Sequence, residues 1–176
     1  SGENYHYERG KLENGSYLIA GEYKPTFWTK ASDGTWHMGK TKEDIKDAKY
    51  CKKASMSAKG VINKNAKDDS VTKPSNQRLE IVPLENPANF KVGVPFKVKI
   101  LFEGKPLESA TLNGTFDGFL KEKSAFHGET EPDGTIEVLA LKPGKWLLQV
   151  VHKMPFADSK ICDDETIAAT LAFELK

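Results

Sequence analysis

From residue 77 onward, apolar and polar residues alternate in short runs with a period of two. Phe96, Val98, Ile100 and Phe102 share one side of a segment whose other side carries Lys97 and Lys99. Extended backbone produces that spacing, because successive side chains point to opposite faces. The pattern recurs in Ala110, Leu112, Gly114 and Phe116, and again in Ile136, Val138 and Ala140. Trp146, Leu148, Val150, His152 and Met154 form a longer run, and Ile167, Ala169, Leu171, Phe173 and Leu175 close the chain. With residues 77–82 and a short run over 124–130, these make seven predicted strands. Turn chemistry separates them at Glu103-Gly104-Lys105-Pro106, Asp117-Gly118, Glu131-Pro132-Asp133-Gly134 and Lys142-Pro143-Gly144-Lys145. There glycine supplies positive φ and proline presets the reversal. The prediction is an all-β fold, an immunoglobulin-like or prealbumin-like β-sandwich over residues 77–176.

Residues 1–75 are less regular and predict a smaller β segment. Asn14-Gly15 and residues 16–20 read as a turn and a strand. Residues 22–29, with Tyr23, Phe27 and Trp28, read as a second strand that Pro25 places near an edge or bulge. Asp33-Gly34 closes a hairpin onto residues 35–38. Residues 41–53 are charged, and Thr41 with Asp44 forms a weak capping box that predicts one or two helical turns. Residues 55–63 predict another strand, with Met56, Ala58, Gly60 and Ile62 on one side. The polar, proline-containing stretch 64–76 reads as a linker. Three strands and a loop do not close a core of their own. The N-terminal segment therefore either packs on the sandwich or is a truncated domain lacking its first strands, and the second is the expectation.

Composition narrows the class without naming a ligand. Of 176 residues, 38% are hydrophobic and 29% charged, a balance suited to short strands that bury one face each. The net charge of +1 offers no steering toward nucleic acid or an anionic membrane. No run approaches the roughly 20 apolar residues that span a bilayer. The chain opens SGENYHYERG without an initiator Met, which predicts a processed or trimmed chain. Cys51 and Cys162 stand in no CxxC spacing. They suit one long-range disulfide in an oxidising compartment, or else two unpaired thiols.

Four phrases occur in order: Tyr23-Lys24-Pro25-Thr26-Phe27-Trp28-Thr29-Lys30, Gln77-Arg78-Leu79-Glu80-Ile81-Val82-Pro83-Leu84, Phe102-Glu103-Gly104-Lys105-Pro106-Leu107 and Pro143-Gly144-Lys145-Trp146. Together they resemble a family of bacterial extracytoplasmic proteins of unknown function, often labelled periplasmic components of cobalt or nickel uptake systems. The resemblance runs from about residue 14 to the end. It implies a two-part β protein, exported to the periplasm or beyond the cytoplasm by a signal peptide, with membrane transporter components as partners. Family members carry extra strands before the tyrosine-rich segment, which would account for the incomplete look of residues 1–63.

Cobalt or nickel would need convergent imidazole, carboxylate or sulfur ligands. The histidines are His6, His37, His127 and His152, and no two have HxH or HxxxH spacing. His152 and Met154 share one face of a strand, but Trp146, Leu148 and Val150 lie there too, and the plain reading is a histidine at the rim of the core. His37, next to Trp36 and Met38, is the next candidate. His6 falls in the N-terminal stretch with Glu3, Tyr5 and Tyr7. Cys162-Asp163-Asp164-Glu165 reads as a solvated acidic loop or as a sulfur with three carboxylates. The metal candidates are thus His37, His127 and His152, for Co2+ or Ni2+. No GxSxG or HExxH is present, and no catalytic triad follows from the scattered histidines. Tyr23, Phe27, Trp28 and Trp36 supply either ordinary packing or a stacking platform for sugar or peptide, with Trp28 and Trp36 foremost. The lysines of residues 40–73 read as solvated loops. The expected function is a non-catalytic extracytoplasmic binding component associated with cobalt or nickel uptake. The alternative is a structural or carbohydrate- or peptide-binding sandwich module.

Overall fold

A computed structural model describes residues 10–65, 67–120 and 123–176, so His6 lies outside the described residues. The strands are β1 (Gly15–Ala31), β2 (Trp36–Met38), β3 (Ala48–Lys64), β4 (Leu79–Pro83), β5 (Phe96–Phe102) and β6 (Lys105–Pro106). They continue with β7 (Thr111–Phe116), β8 (Phe126–Glu129), β9 (Thr135–Val138), β10 (Gly144–Pro155) and β11 (Asp164–Leu175). Two short 3-10 turns cover Asp69–Thr72 and Pro87–Asn89. The seven strands read from the alternation are all present, as β4, β5 and β7 to β11, and the fold is an all-β, two-sheet sandwich. Among the described residues no helix is long and apolar enough to cross a membrane.

The larger sheet has seven strands in the order β2-β1-β3-β11-β10-β7-β8. In the smaller sheet, β5 pairs β4 along one edge and β6 and β9 along the other. Among the described residues every pairing is antiparallel except β11 with β3. The inward residues are those the alternation singled out. Leu112, Leu148, Val150, Ile167, Leu171 and Leu175 of the large sheet meet Leu79, Ile81, Val98, Ile100 and Val138 of the small one. Each such side chain, fully removed from water, stabilises the fold by about 1.5–3 kcal/mol. Phe90, Phe96 and Phe173 close one end, with Phe90 stacked on Phe96 at 3.8 Å between centroids.

The N-terminal strands belong to the same large sheet. β1 is one continuous strand rather than two, with a register shift between Tyr23 and Thr26 that Pro25 occupies. β3 pairs β1 on one side and β11 on the other. The stretch read as a linker is anchored at several points. Asp68 accepts the Ser16 backbone N–H at 2.9 Å, Val71 is buried in the core, and the Gln77 side chain donates to the Gly21 carbonyl at 3.1 Å.

The helix predicted within 41–53 does not form. The Thr41 N–H and hydroxyl both reach the Asp44 carboxylate, at 2.8 and 3.1 Å, which closes a turn, and β3 begins at Ala48. Tertiary contacts decide the outcome. The Cys51 N–H donates to the Asp163 carboxylate at 2.8 Å, and the Asp163 N–H returns a bond to the Cys51 carbonyl at 3.1 Å. Cys51 and Cys162 are joined by a disulfide, and both are fully buried. Beyond it Asp164 pairs Lys52, so the crosslink staples together the starting ends of the two parallel strands.

Within β3 the apolar residues Met56, Ala58 and Ile62 face outward, and Ser57, Lys59 and Val61 face inward. Lys59 forms a buried ion pair with Glu80 of β4, and Ser57 Oγ donates to the Leu79 carbonyl at 2.5 Å. Both contacts run from the large sheet to the small one.

Candidate functional site

The best site begins with the bulge at Pro25. Before it, Tyr17, Ile19, Gly21 and Tyr23 stand opposite Ile62, Gly60, Ala58 and Met56. After it, Thr26, Trp28 and Lys30 stand opposite Ala54, Lys52 and Tyr50. Directly opposed residues share a face. One extra residue in β1 therefore switches the outward positions from odd to even numbers. Trp28 lies outward for this reason, while Phe27 turns inward against Phe156 at 5.8 Å.

The next hairpin brings in a second tryptophan. The Asp33 carboxylate accepts the Thr35 N–H at 2.8 Å, Gly34 takes φ of +89°, and the Ala31 N–H donates to the Thr35 carbonyl at 2.9 Å. The Thr35 bonds lower the Asp33 pKa. β2 then pairs Trp36 with Lys30 and Met38 with Trp28. Beyond it, Gly39 donates to the Phe27 carbonyl at 2.7 Å, and the buried Thr29 hydroxyl donates to the Lys40 carbonyl at 2.6 Å.

The result is two rows on one face. Trp36, Lys30 and Tyr50 form the first, across β2, β1 and β3. Met38, Trp28, Lys52 and Asp164 form the second, which reaches β11. Trp36 meets Tyr50 edge to face at 6.1 Å and remains 42% exposed. The ammonium groups of Lys30 and Lys52 lie 5.8 and 5.4 Å from the Trp36 ring centre, within cation–π range. Lys153 lies 5.6 Å from the Tyr50 ring centre and 2.9 Å from Asp164. Burial and the neighbouring Asp164 carboxylate both raise the Tyr50 pKa, so the phenol is neutral at neutral pH. The arrangement offers aromatic surface edged with positive charge.

Trp28 and Trp36, the platform residues read from the sequence, are therefore brought together. Tyr50, Lys30, Lys52 and Lys153 were missed. Tyr50, Lys52 and Ala54 alternate immediately after the 41–47 turn, a strand signal that the high charge of this stretch obscures.

The histidines are not brought together. His37 is on β2 and His127 on β8, the two edges of the large sheet. Six strand spacings of about 4.8 Å separate them, roughly 29 Å along the sheet. His127 faces outward, where its Nδ1 meets the Asn113 side-chain oxygen at 2.9 Å. His152 faces inward from β10, its ring 4.7 Å from that of Phe102. Burial first, and then the charge of Arg78, lower the His152 pKa and favour the neutral ring. This is the rim-of-core placement. Asp33 and Asp47 lie near His37, but their carboxylates are engaged by Thr35 and Ser32. Among the described residues no three His, Cys, Asp or Glu side chains are placed to hold a metal ion. His37, His127 and His152 do not fit a shared Co2+ or Ni2+. Cys162 is committed to the disulfide, and Asp163 next to it binds Lys42 and the Cys51 backbone.

Hollows elsewhere carry less chemistry. One of about 730 Å3 lies along β7 and the segment after it, lined in part by Phe116, Phe119, Leu120 and Leu147. Another of about 510 Å3 lies between the β8 and β9 edges, with His127, Glu129, Glu131 and Glu137 on its walls.

A family model described as a domain of unknown function, DUF4198, matches residues 1–154. The chain belongs to the DUF4198 family. The DUF4198 match runs from the N-terminus through nearly all of β10, so it includes the strands that carry Trp28 and Trp36. The unknown function agrees with the resemblance read from the sequence, and the DUF4198 description names no metal. No curated protein and no solved structure matches the chain.

Proposed function

We propose that the chain is a non-catalytic extracytoplasmic binding component that takes its ligand on the outer face of the seven-stranded sheet. The observation that carries this reading is the gathering of Trp28, Trp36 and Tyr50, with their lysines, on the face turned away from the core. Large aromatics usually supply buried area, so an outer-face cluster in which Trp36 is exposed and Trp28 and Tyr50 are only half-buried calls for a partner. The buried Cys51–Cys162 crosslink supports an oxidising, extracytoplasmic setting, because such bonds persist outside the reducing cytosol.

Association with cobalt or nickel uptake rests on the family resemblance. With the three histidines on separate strands, it would run through membrane transporter partners rather than through an ion held by these imidazoles. Tryptophan emission titrated separately with oligosaccharides and with Ni2+ or Co2+ tests the proposal. A saturable response to an oligosaccharide, lost in Trp28→Ala and Trp36→Ala, is expected. A saturable micromolar response to the metals, with none to any oligosaccharide, would overturn it.

A further inference from the structure

We infer that the platform takes an acidic polysaccharide strand, one whose sugar rings carry carboxylates. This rests on the binding-face reading above and adds the ligand's chemical class. Among the described residues, Lys30 and Lys52 have no carboxylate within ion-pair distance, although both crowd the Trp36 ring. Lys153 is the contrast, since Asp164 neutralises it on the same face. Two uncompensated ammonium groups on an aromatic surface complement a ligand carrying both a ring and an anion. Aromatic side chains present an apolar face for the C–H side of a sugar ring, and lysine supplies charged donors for a carboxylate.

The backbone argues against an extended acidic peptide. Such peptides add to a free sheet edge through main-chain hydrogen bonds. The β1 edge is engaged at many points. Ser16 is bonded by Asp68 and Ser70, Phe27 by Gly39, residues 28–30 pair with β2, and Pro25 has no N–H to give. The aromatics and lysines lie on the face of the sheet. There the face continues past Ala54 through Tyr23, Met56 and Ile19, all exposed and interspersed with Gly21, Ala58 and Gly60, so apolar surface on which a chain of rings can lie extends along the sheet.

The test uses the intact, disulfide-bonded protein and tryptophan emission. Oligogalacturonate is titrated beside its methyl ester, which keeps the rings and removes the charge, and beside poly-glutamate. Binding of the acid about tenfold or more tighter than the ester is expected, from charge-assisted contacts at two lysines. The preference should weaken between about 20 and about 300 mM salt, and Lys30→Gln/Lys52→Gln should abolish it. Equal affinity for acid and ester, both lost in Trp36→Ala, would overturn the acidic class and leave the binding face standing. Acid binding untouched by Trp28→Ala, Trp36→Ala and the lysine pair would overturn the face itself, and this inference with it. Poly-glutamate binding as tightly as the acid, or no binding of either glycan, would also overturn the inference. Neither lysine is buried, so the variants keep the fold.

Discussion

Lys59 and Glu80 are each 1% exposed, and replacing them tests how the two sheets are held together. Glu80 accepts from Lys59 and also from the Ser75 N–H and hydroxyl, at 2.9 and 3.0 Å, while Lys59 Nζ also reaches the Ile81 carbonyl at 3.3 Å. Burial lowers the Lys59 pKa. Burial alone would raise that of Glu80, but the bonds from Lys59 and Ser75 and the Lys59 charge outweigh it and hold the carboxyl below its usual range. Glu80 is therefore ionised at neutral pH. Lys59→Met leaves that charge in the interior, a change that costs about 3–5 kcal/mol when one member of a buried pair is lost. The two Ser75 bonds survive, which places the loss near the lower end, about 3 kcal/mol. Glu80→Leu, which leaves the Lys59 ammonium without its partner, should cost a similar amount. Lys59→Met/Glu80→Leu removes both charges and leaves mainly Ser75 unserved, at about 1–3 kcal/mol. The double variant should thus lose less than the two singles together, by a coupling of about 3–5 kcal/mol.

Urea unfolding at neutral pH of the parent, both singles and the double variant closes this cycle. A loss under about 1 kcal/mol for Lys59→Met, or strictly additive singles, would refute the reasoning. The pH dependence supplies a second check. The folded pKa of Glu80 lies below its unfolded value, so its contribution is complete above that unfolded value and disappears as the pH falls through the folded one. Glu80→Gln should remove this part of the acid limb.

Cys51→Ser/Cys162→Ser opens a crosslink of sequence separation 111, which by the loop-entropy relation removes about 5 kcal/mol, read as a fall in the urea midpoint. Gly134→Ala should cost about 1–3 kcal/mol by the same assay, because φ is +77° and the new Cβ would stand 2.8 Å from the Ile100 carbonyl. Asp68 has its pKa lowered to about 2 by bonds from the Ser70 side chain and backbone and then from the Ser16 N–H. Its hold on Ser16 is therefore complete above the ordinary value of 3.8 and is lost as the pH falls toward 2, which exchange of the Ser16 amide proton will show.

Most strands after residue 77 were legible because they bury one face only, and alternation records that directly; β4, buried at every position, is the exception. Phe96, Val98 and Ile100 are buried, and Lys97 between them is exposed. β3 misleads the same logic. Its apolar set, Met56, Ala58 and Ile62, lies outside, while Lys59 goes in because Glu80 is waiting across the sandwich. A glutamate inside the otherwise apolar run Leu79 to Val82 was the available signal that a buried cation existed. The partner of Cys51 was readable only as an option, since two cysteines 111 residues apart meet through the parallel pairing of β3 with β11, and no local pattern encodes it. The helix expected near Thr41 failed for a related reason. Its capping bond is present, but Asp163 and the disulfide hold Cys51 in extended backbone, and one turn without a successor does not make a helix.

The candidate site shows how little local sequence change separates a buried aromatic from a displayed one. Phe27 and Trp28 are neighbours of similar apolar character, and composition offers no reason to bury one rather than the other. The register does. Upstream of Pro25 the odd-numbered residues of β1 face outward, and an uninterrupted strand would carry that parity through, placing Phe27 out and Trp28 in. The extra residue at the bulge reverses it, so Trp28 joins Lys30 and, through the Asp33-Gly34 hairpin, Trp36 and Met38 on the open face. Phe27 takes the inward place against Phe156. Bulges that re-aim side chains are characteristic of sheet edges beside functional sites. Here the bulge sits where β1 passes from the stretch bonded by Asp68, Ser70 and Gln77 to the part that β2 covers. The same proline that denies an N–H to an incoming strand also turns the tryptophan to face solvent, so edge protection and display of the aromatic surface come from a single residue.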